Sequence, residues 1–162
     1  MAFNLTRKTD YALVTLSVLA VEAASGGGLL SARRIAAEQD LPLPLLMNLL
    51  KDLNRAGIIQ SQRGAAGGYR LARAPDQIGL LQVIEALEGP VHIAECCPHS
   101  RRHGAGRPAS CRVGPECPIL LPMQRLDQKV REFLAHLTLH ELVGDMEEKV
   151  RRPVRHNLRR KK

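Results

Sequence analysis

Tryptophan is absent from this 162-residue chain, and aromatic residues make up 2% of it: Phe3, Tyr11, Tyr69 and Phe133. Modules that grip single-stranded nucleic acid stack bases on aromatic platforms, so the shortage argues against that class. Duplex DNA stays open, because it is held through phosphates and groove edges. No apolar run approaches the roughly 18 residues of a membrane-spanning helix, and no membrane partner is expected. The four cysteines, Cys96, Cys97, Cys111 and Cys117, form no Cys-x-x-Cys knuckle, so a zinc ribbon is poorly supported. No nucleophile has a base or orienting partner in a supporting context, and an enzyme is not expected. Arg7 and Lys8 ahead of the apolar stretch 12–20 imitate a secretory signal, but Asp10, Thr15, Ser17 and Glu22 interrupt the pattern. A cytoplasmic protein with reduced thiols is the expectation.

What is present is a 44% hydrophobic chain, enough for a real core, with 24 Lys plus Arg against 16 Asp plus Glu. The surplus of +8 is uneven: residues 1–73 carry +4, residues 74–148 carry −4, and residues 149–162 hold 8 basic side chains and no acidic one. That last stretch, Lys149 to Lys162, is Pro-interrupted and rich in like charge, so disorder is expected. It reads either as an inert solvated end or as a sequence-independent phosphate clamp.

The apolar spacing predicts a helix over 6–24 ended by Gly26, Gly27 and Gly28, a short helix over 32–39 with Ser31 as N-cap, and a third over 44–56. In the third, Leu46, Leu49, Leu50 and Leu53 make one buried stripe and leave Met47, Asn48, Lys51, Asp52 and Arg55 outside. Residues 58–63 and 69–71 read as two strands around a Gly-rich turn. A further helix is expected over 77–88, with Ile78, Leu81, Ile84 and Leu87 inward, and the longest helical stretch over 118–143. Its apolar stripe, Leu121, Leu126, Val130, Phe133, Leu134, Leu137 and Leu142, is too long for one small domain to cover, and calls for a partner. Two short helices, a tight turn and a following hairpin are the order of a winged helix-turn-helix. On that geometry Asn48 can pair with adenine, Lys51 and Arg55 can reach phosphate or guanine, and Arg63 can enter a narrow minor groove. Asp52 reads as a solvated surface charge.

The segments Leu5-Thr-Arg-Lys-Thr-Asp-Tyr-Ala-Leu13, Ser31-Ala-Arg-Arg-Ile-Ala36, Leu53-Asn-Arg-Ala-Gly-Ile58 and above all Ser61-Gln-Arg-Gly-Ala-Ala-Gly-Gly-Tyr-Arg-Leu71 resemble the Rrf2 family of bacterial regulators, in particular its IscR/NsrR/RirA-like, cluster-binding members. The resemblance covers about residues 3–143, and the wing motif is its most specific part. It implies a mainly α fold with a small β-hairpin wing: a winged helix-turn-helix domain over 1–75, a connecting helix over 76–94, a cysteine loop over 95–117, a dimerisation helix over 118–146 and a basic tail over 147–162. It implies a homodimer that binds an operator in double-stranded DNA. Arg63 falls on the minor-groove position, and Pro44, Met47 and Asn48 on base-reading positions, of which Pro44 and Met47 depart from the polar residues many members place there. Ser31, Arg34, Lys51, Arg55, Tyr69 and Arg70 complete the expected DNA-contacting set.

For the cysteines, the resemblance implies a 2Fe-2S or 4Fe-4S iron-sulfur cluster held by Cys96, Cys111 and Cys117, with Asp10 of the second subunit as a fourth ligand. Cys111 and Cys117 match the family's five-residue separation, while the segment 98–108 is longer than usual. Cys97 remains an alternative to Cys96, and His99 or His103 an alternative to Asp10. Three thiolates with one different ligand suit a cluster with a labile position. The competing reading is a thiol-redox or zinc-containing regulator on the same fold.

Overall fold

The computed structural model describes residues 5–64, 66–93 and 117–144. The expectations for Cys96, Cys97, His99, His103, Cys111 and the basic tail lie outside the described residues.

Helix α1 (Arg7–Ala24) begins where the Thr6 hydroxyl accepts a hydrogen bond from the Thr9 amide, and runs into the glycines that follow Ser25. Helix α2 (Ala32–Glu38) starts at Ser31, whose Oγ accepts from the Arg34 amide at 3.2 Å, as the sequence predicts for an N-cap. Helix α3 (Leu43–Arg55) carries Pro44 within its first turn, where a missing N–H costs nothing, and buries the expected stripe of Leu46, Leu49, Leu50 and Leu53. Gly57, at φ +69°, lets the chain reverse into β1 (Ile59–Gln62), which pairs antiparallel with β2 (Gly68–Leu71) in the register Ile59 opposite Leu71 and Gln62 opposite Gly68. Ala12, Leu16 and Leu19 of α1 enter one core with Leu30, Ile35, the α3 stripe, Ile58 and Ile59. The result is mainly helical with a two-stranded wing, as expected.

Two elements differ from the pattern read in the sequence. The helix expected over 77–88 is a 3-10 turn (η1, Pro75–Gln77) followed by α4 (Leu80–Glu88), so Ile78 is buried but extended. The helix expected over 118–143 is two: α5 (Leu120–His136) and α6 (Leu139–Val143). At 17 residues α5 is also shorter than α1, which has 18.

One backbone contact accounts for both departures. The Leu80 amide donates to the Leu137 carbonyl at 2.8 Å and the Leu139 amide to the Ile78 carbonyl at 2.8 Å, pairing the extended residues 78–80 with 137–139. Helical continuation at either place would forfeit those bonds. Gly79 permits the approach, since a Cβ there would lie 2.7 Å from the Ala135 carbonyl oxygen. Thr138 then restarts the helix with a capping box: its Oγ1 accepts from the Glu141 amide, and its own amide donates to the Glu141 carboxylate at 2.8 Å. Buried Leu139 and Val143 of α6 join the core around α1. On α5, Leu134 packs with Leu81 and Ile84 of α4, whereas Ile119, Leu121, Leu126 and Phe133 are exposed, Phe133 by 65%.

Thr138→Ala is expected to cost about 1 kcal/mol in denaturant unfolding, and Thr138→Ser to restore it. Equal stability of the alanine variant and the parent would show that α6 does not depend on its cap.

Candidate nucleic-acid interface

The wing is fastened to the helical part by Leu30, the residue just ahead of the α2 cap. Its amide donates to the Tyr69 carbonyl at 3.0 Å, and the Tyr69 amide donates back to the Leu30 carbonyl at 2.8 Å. This bridge needs Gly68, because a Cβ at that position would sit 2.5 Å from the Leu30 carbonyl oxygen. Gly67 is similarly confined, its Cβ position lying 2.3 Å from the Gln62 carbonyl oxygen, while Gly64 turns the chain at φ +121°. The glycines of the wing motif are thus two close approaches and one left-handed turn.

Docked this way, the hairpin and α3 enclose an open groove of about 810 Å³. Six residues singled out in the sequence line it: Ser31, Met47, Asn48, Lys51, Arg63 and Tyr69. Four others do not: Arg34, Pro44, Arg55 and Arg70 are exposed outside it. Arg33, Asn54, Ser61 and Gln62 also line the groove, although the sequence reading did not place them in the contact set. Asn54 stands three residues after Lys51 on α3, a spacing that could have found it. Ser61 and Gln62 depend on the tilt of the wing, which no local pattern reveals. Among the described residues, three cations, Arg33, Lys51 and Arg63, face the groove and no carboxylate lines it.

Two of the arginines outside the groove, Arg34 and Arg55, have acidic neighbours. Arg34 Nε donates to Glu38 at 2.7 Å, four residues on, and Glu22 lies 3.9 Å away; the Glu38 hydrogen bond holds its pKa above the ordinary value. Arg70 donates to Gln60 across the strand pair, and Arg55 lies 3.8 Å from Asp52. Asp52 corrects an expectation, since it is no merely solvated charge. Lys8 of α1 donates to it at 2.9 Å, and this hydrogen bond, together with the charges of Lys8, Arg55 and Lys51, keeps the carboxyl pKa below its usual value against the opposing effect of burial. The same ammonium donates to the Leu87 carbonyl at 3.0 Å, and the Thr9 and Thr6 hydroxyls both donate to Glu88. The first turn of α1 therefore ties the outer face of α3 to the end of α4. Asp10, exposed, belongs to that turn.

The cysteine segment is bounded at both ends by contacts to α5. Half-buried Cys117 stands three residues ahead of the helix, where its carbonyl accepts from the Leu120 amide, and its thiol is in no disulfide. At the other end the Ile93 amide donates to fully buried Asp127 at 2.8 Å, and Arg131 donates to the Val91 carbonyl at 2.9 Å and to Glu85 at 2.7 Å. Asp127 and Arg131, one helical turn apart, thus hold residues 91–93 against the helix that Cys117 precedes. Among the described residues no three His, Cys, Asp or Glu side chains converge on a common point.

A two-helix reading unit, a wing docked against it and a cationic groove between them define the class: a winged helix-turn-helix regulator fold. The profile of the Rrf2 family, described as "Iron-dependent Transcriptional regulator", matches residues 5–145, and the chain belongs to that family. It is 40% identical over 89 residues to the HTH-type transcriptional regulator IscR of Cereibacter sphaeroides, a match covering 55% of this chain and 57% of that relative, so it spans little more than half of the relative's length. Among solved structures, T. potens IscR superposes with a TM-score of 0.63 at 28% identity, covering 91% of both chains. CymR of B. subtilis, described as the global cysteine regulator, gives 0.63 at 28% identity over 89% of this chain and 98% of its own. These relatives are transcriptional regulators rather than enzymes.

Binding to duplex DNA is expected to weaken with salt, and Lys51→Ala and Arg63→Ala each to reduce the slope of log K against log salt by about 1. Arg34→Ala, with two carboxylates beside the guanidinium, should change it less. Fluorescence anisotropy across a salt series measures this, and parental slopes for both groove variants would remove Lys51 and Arg63 from the phosphate contacts.

Proposed function

We propose that the chain acts as a homodimeric, operator-binding repressor whose DNA affinity is set by an iron-sulfur cluster held by Cys96, Cys111 and Cys117, with Asp10 of the second copy as fourth ligand. The observation that carries this reading is the docked wing, with its cationic groove, in the same chain as a Cys-x5-Cys pair whose second thiol, on Cys117, is undisulfided at the entrance to α5.

The donor set fits the group. Three thiolates and one carboxylate match the soft, sulfur-dominated ligation of a 2Fe-2S or 4Fe-4S cluster with one labile position. The cluster would supply a link between subunits that is sensitive to iron supply, oxygen or nitric oxide. This chain's own residues supply the rest. Asp10 lies on the α1 turn whose Lys8 grips Asp52 of α3, so a pull on that turn bears on the DNA-reading helix. Ile119, Leu126 and Phe133, exposed and seven residues apart along α5 and its approach, offer an apolar seam for a second copy. A two-fold dimer would present two reading helices to a palindromic operator. Regulation then requires that two dimer conformations differ in DNA affinity and that the ligated state favours one of them.

A second reading is favoured by the likeness to the B. subtilis global cysteine regulator. On it, Cys96 or Cys97 and Cys111 or Cys117 exchange disulfides, or hold zinc, and no cluster forms.

Anaerobic purification with visible absorbance and iron, sulfide and zinc analysis separates the two. The cluster reading predicts a coloured protein containing iron and acid-labile sulfide, and a Cys111→Ala variant that is colourless yet dimeric. A colourless parent with stoichiometric zinc after attempted reconstitution would favour the second reading.

A further inference from the structure

Six large apolar side chains are exposed among the described residues, and five of them, Ile93, Ile119, Leu121, Leu126 and Phe133, lie on α5 or the segments leading to it. The sixth is Met47, 46% exposed, alone on the reading face of α3 within the cationic groove. In the major groove the one apolar feature a side chain can meet is the 5-methyl group of thymine. Beside Met47 stands Asn48, whose carboxamide can donate to N7 and accept from N6 of adenine.

Among the described residues, the α3 face of the groove offers one usual reader of guanine, Lys51, and no usual reader of cytosine. Guanine is read by arginine or lysine, but the one arginine of α3, Arg55, lies outside the groove and 3.8 Å from Asp52, which leaves Lys51, the cation assigned above to phosphate. The cytosine amino group is read by a carboxylate, and none lines the groove among the described residues. Arg33 and Arg63 enter it from α2 and from the wing, positions that in this class of fold follow the backbone or an adjacent minor groove rather than the base edges under the reading helix. The exposed side chains that α3 itself offers are Met47, Asn48, Lys51 and Asn54, with half-buried Leu43 and buried Leu50 behind them.

We propose that α3 reads A·T base pairs, with Met47 packed on a thymine methyl group and Asn48 paired to an adenine in each operator half-site. This inference rests on the operator-binding reading above and names its substrate more closely. Thymine and deoxyuridine differ by that methyl group alone, so the contact can be deleted from the DNA without touching the protein.

The test selects preferred duplexes from a randomised pool with the full chain purified anaerobically, then replaces each thymine in turn with deoxyuridine and measures affinity by anisotropy. Sites rich in A·T at the half-site centres are expected. One thymine per half-site should show about a fourfold loss on methyl removal, the worth of one buried methyl-sized group. Met47→Ala should bind the thymine and deoxyuridine forms equally, and Asn48→Ala should relax selection at the adjoining adenine. Both side chains are exposed, and far-UV circular dichroism checks that the variants keep the fold. Insensitivity to every methyl, or an undiminished methyl effect in Met47→Ala, overturns the inference while leaving operator binding intact. If no sequence is enriched over non-specific binding, the operator reading falls as well.

Discussion

The paired amides and carbonyls of Leu30 and Tyr69 are the joint on which the DNA-reading half depends. Each strand of the wing is four residues long, and a two-stranded hairpin of that size is marginal by itself in water. Bonding to Leu30 gives β2 a second neighbour and places the wing beside the capped start of α2, so that the hairpin, α2 and α3 enclose one groove. Gly68 makes the joint possible by having no side chain where the Leu30 backbone passes. The Gly-Gly-Tyr of the wing motif is therefore a statement about backbone distance before it is one about DNA.

Helix α1 connects this half to the rest. Its inner face is the common wall of the core, and its first turn carries Lys8, Thr9 and Asp10 side by side. Lys8 and Thr9 reach α3 and the end of α4, while Asp10 is exposed beside them. The ion pair itself is partly exposed and worth at most about 1 kcal/mol, so its importance is geometric. At the far side, Asp127 and Arg131 hold residues 91–93 to α5. With Arg131 also donating to Glu85 of α4, one short set of contacts runs from α3 through the first turn of α1 and α4 to residues 91–93 and α5.

The helical stripes of α1 and α3, the Ser31 cap and the hairpin were legible because each is set by local spacing and turn chemistry. Residues 77–79 and 137–138 were not, because their helical propensity is overridden by a pairing between segments distant in sequence, with Gly79 opposite Thr138. Even there Thr138-Leu-His-Glu141 spells a capping box that would have marked the restart of the helix. The groove was legible in its α3 members, whose side shares one helical face. It was less so for Ser61 and Gln62, which depend on how the wing lies, and for Asp52, whose partner Lys8 comes from 44 residues away. Arg34 and Arg55 illustrate why a basic residue on the right element need not face the duplex: each stands beside an acid contributed by its own helix.

The central claim, that DNA reading requires the wing to be docked on Leu30, is tested most directly by operator affinity and amide exchange in Gly68→Ala, with Gly28→Ala, which meets nothing within 4 Å, as the matched control. The account predicts unchanged helical content, faster exchange of the Leu30 and Tyr69 amides, and operator binding weakened about tenfold or more, equivalent to the loss of two ordinary hydrogen bonds, with the control unaffected. Parental affinity in Gly68→Ala, with the two amides exchanging as fast as in a detached hairpin, would contradict it.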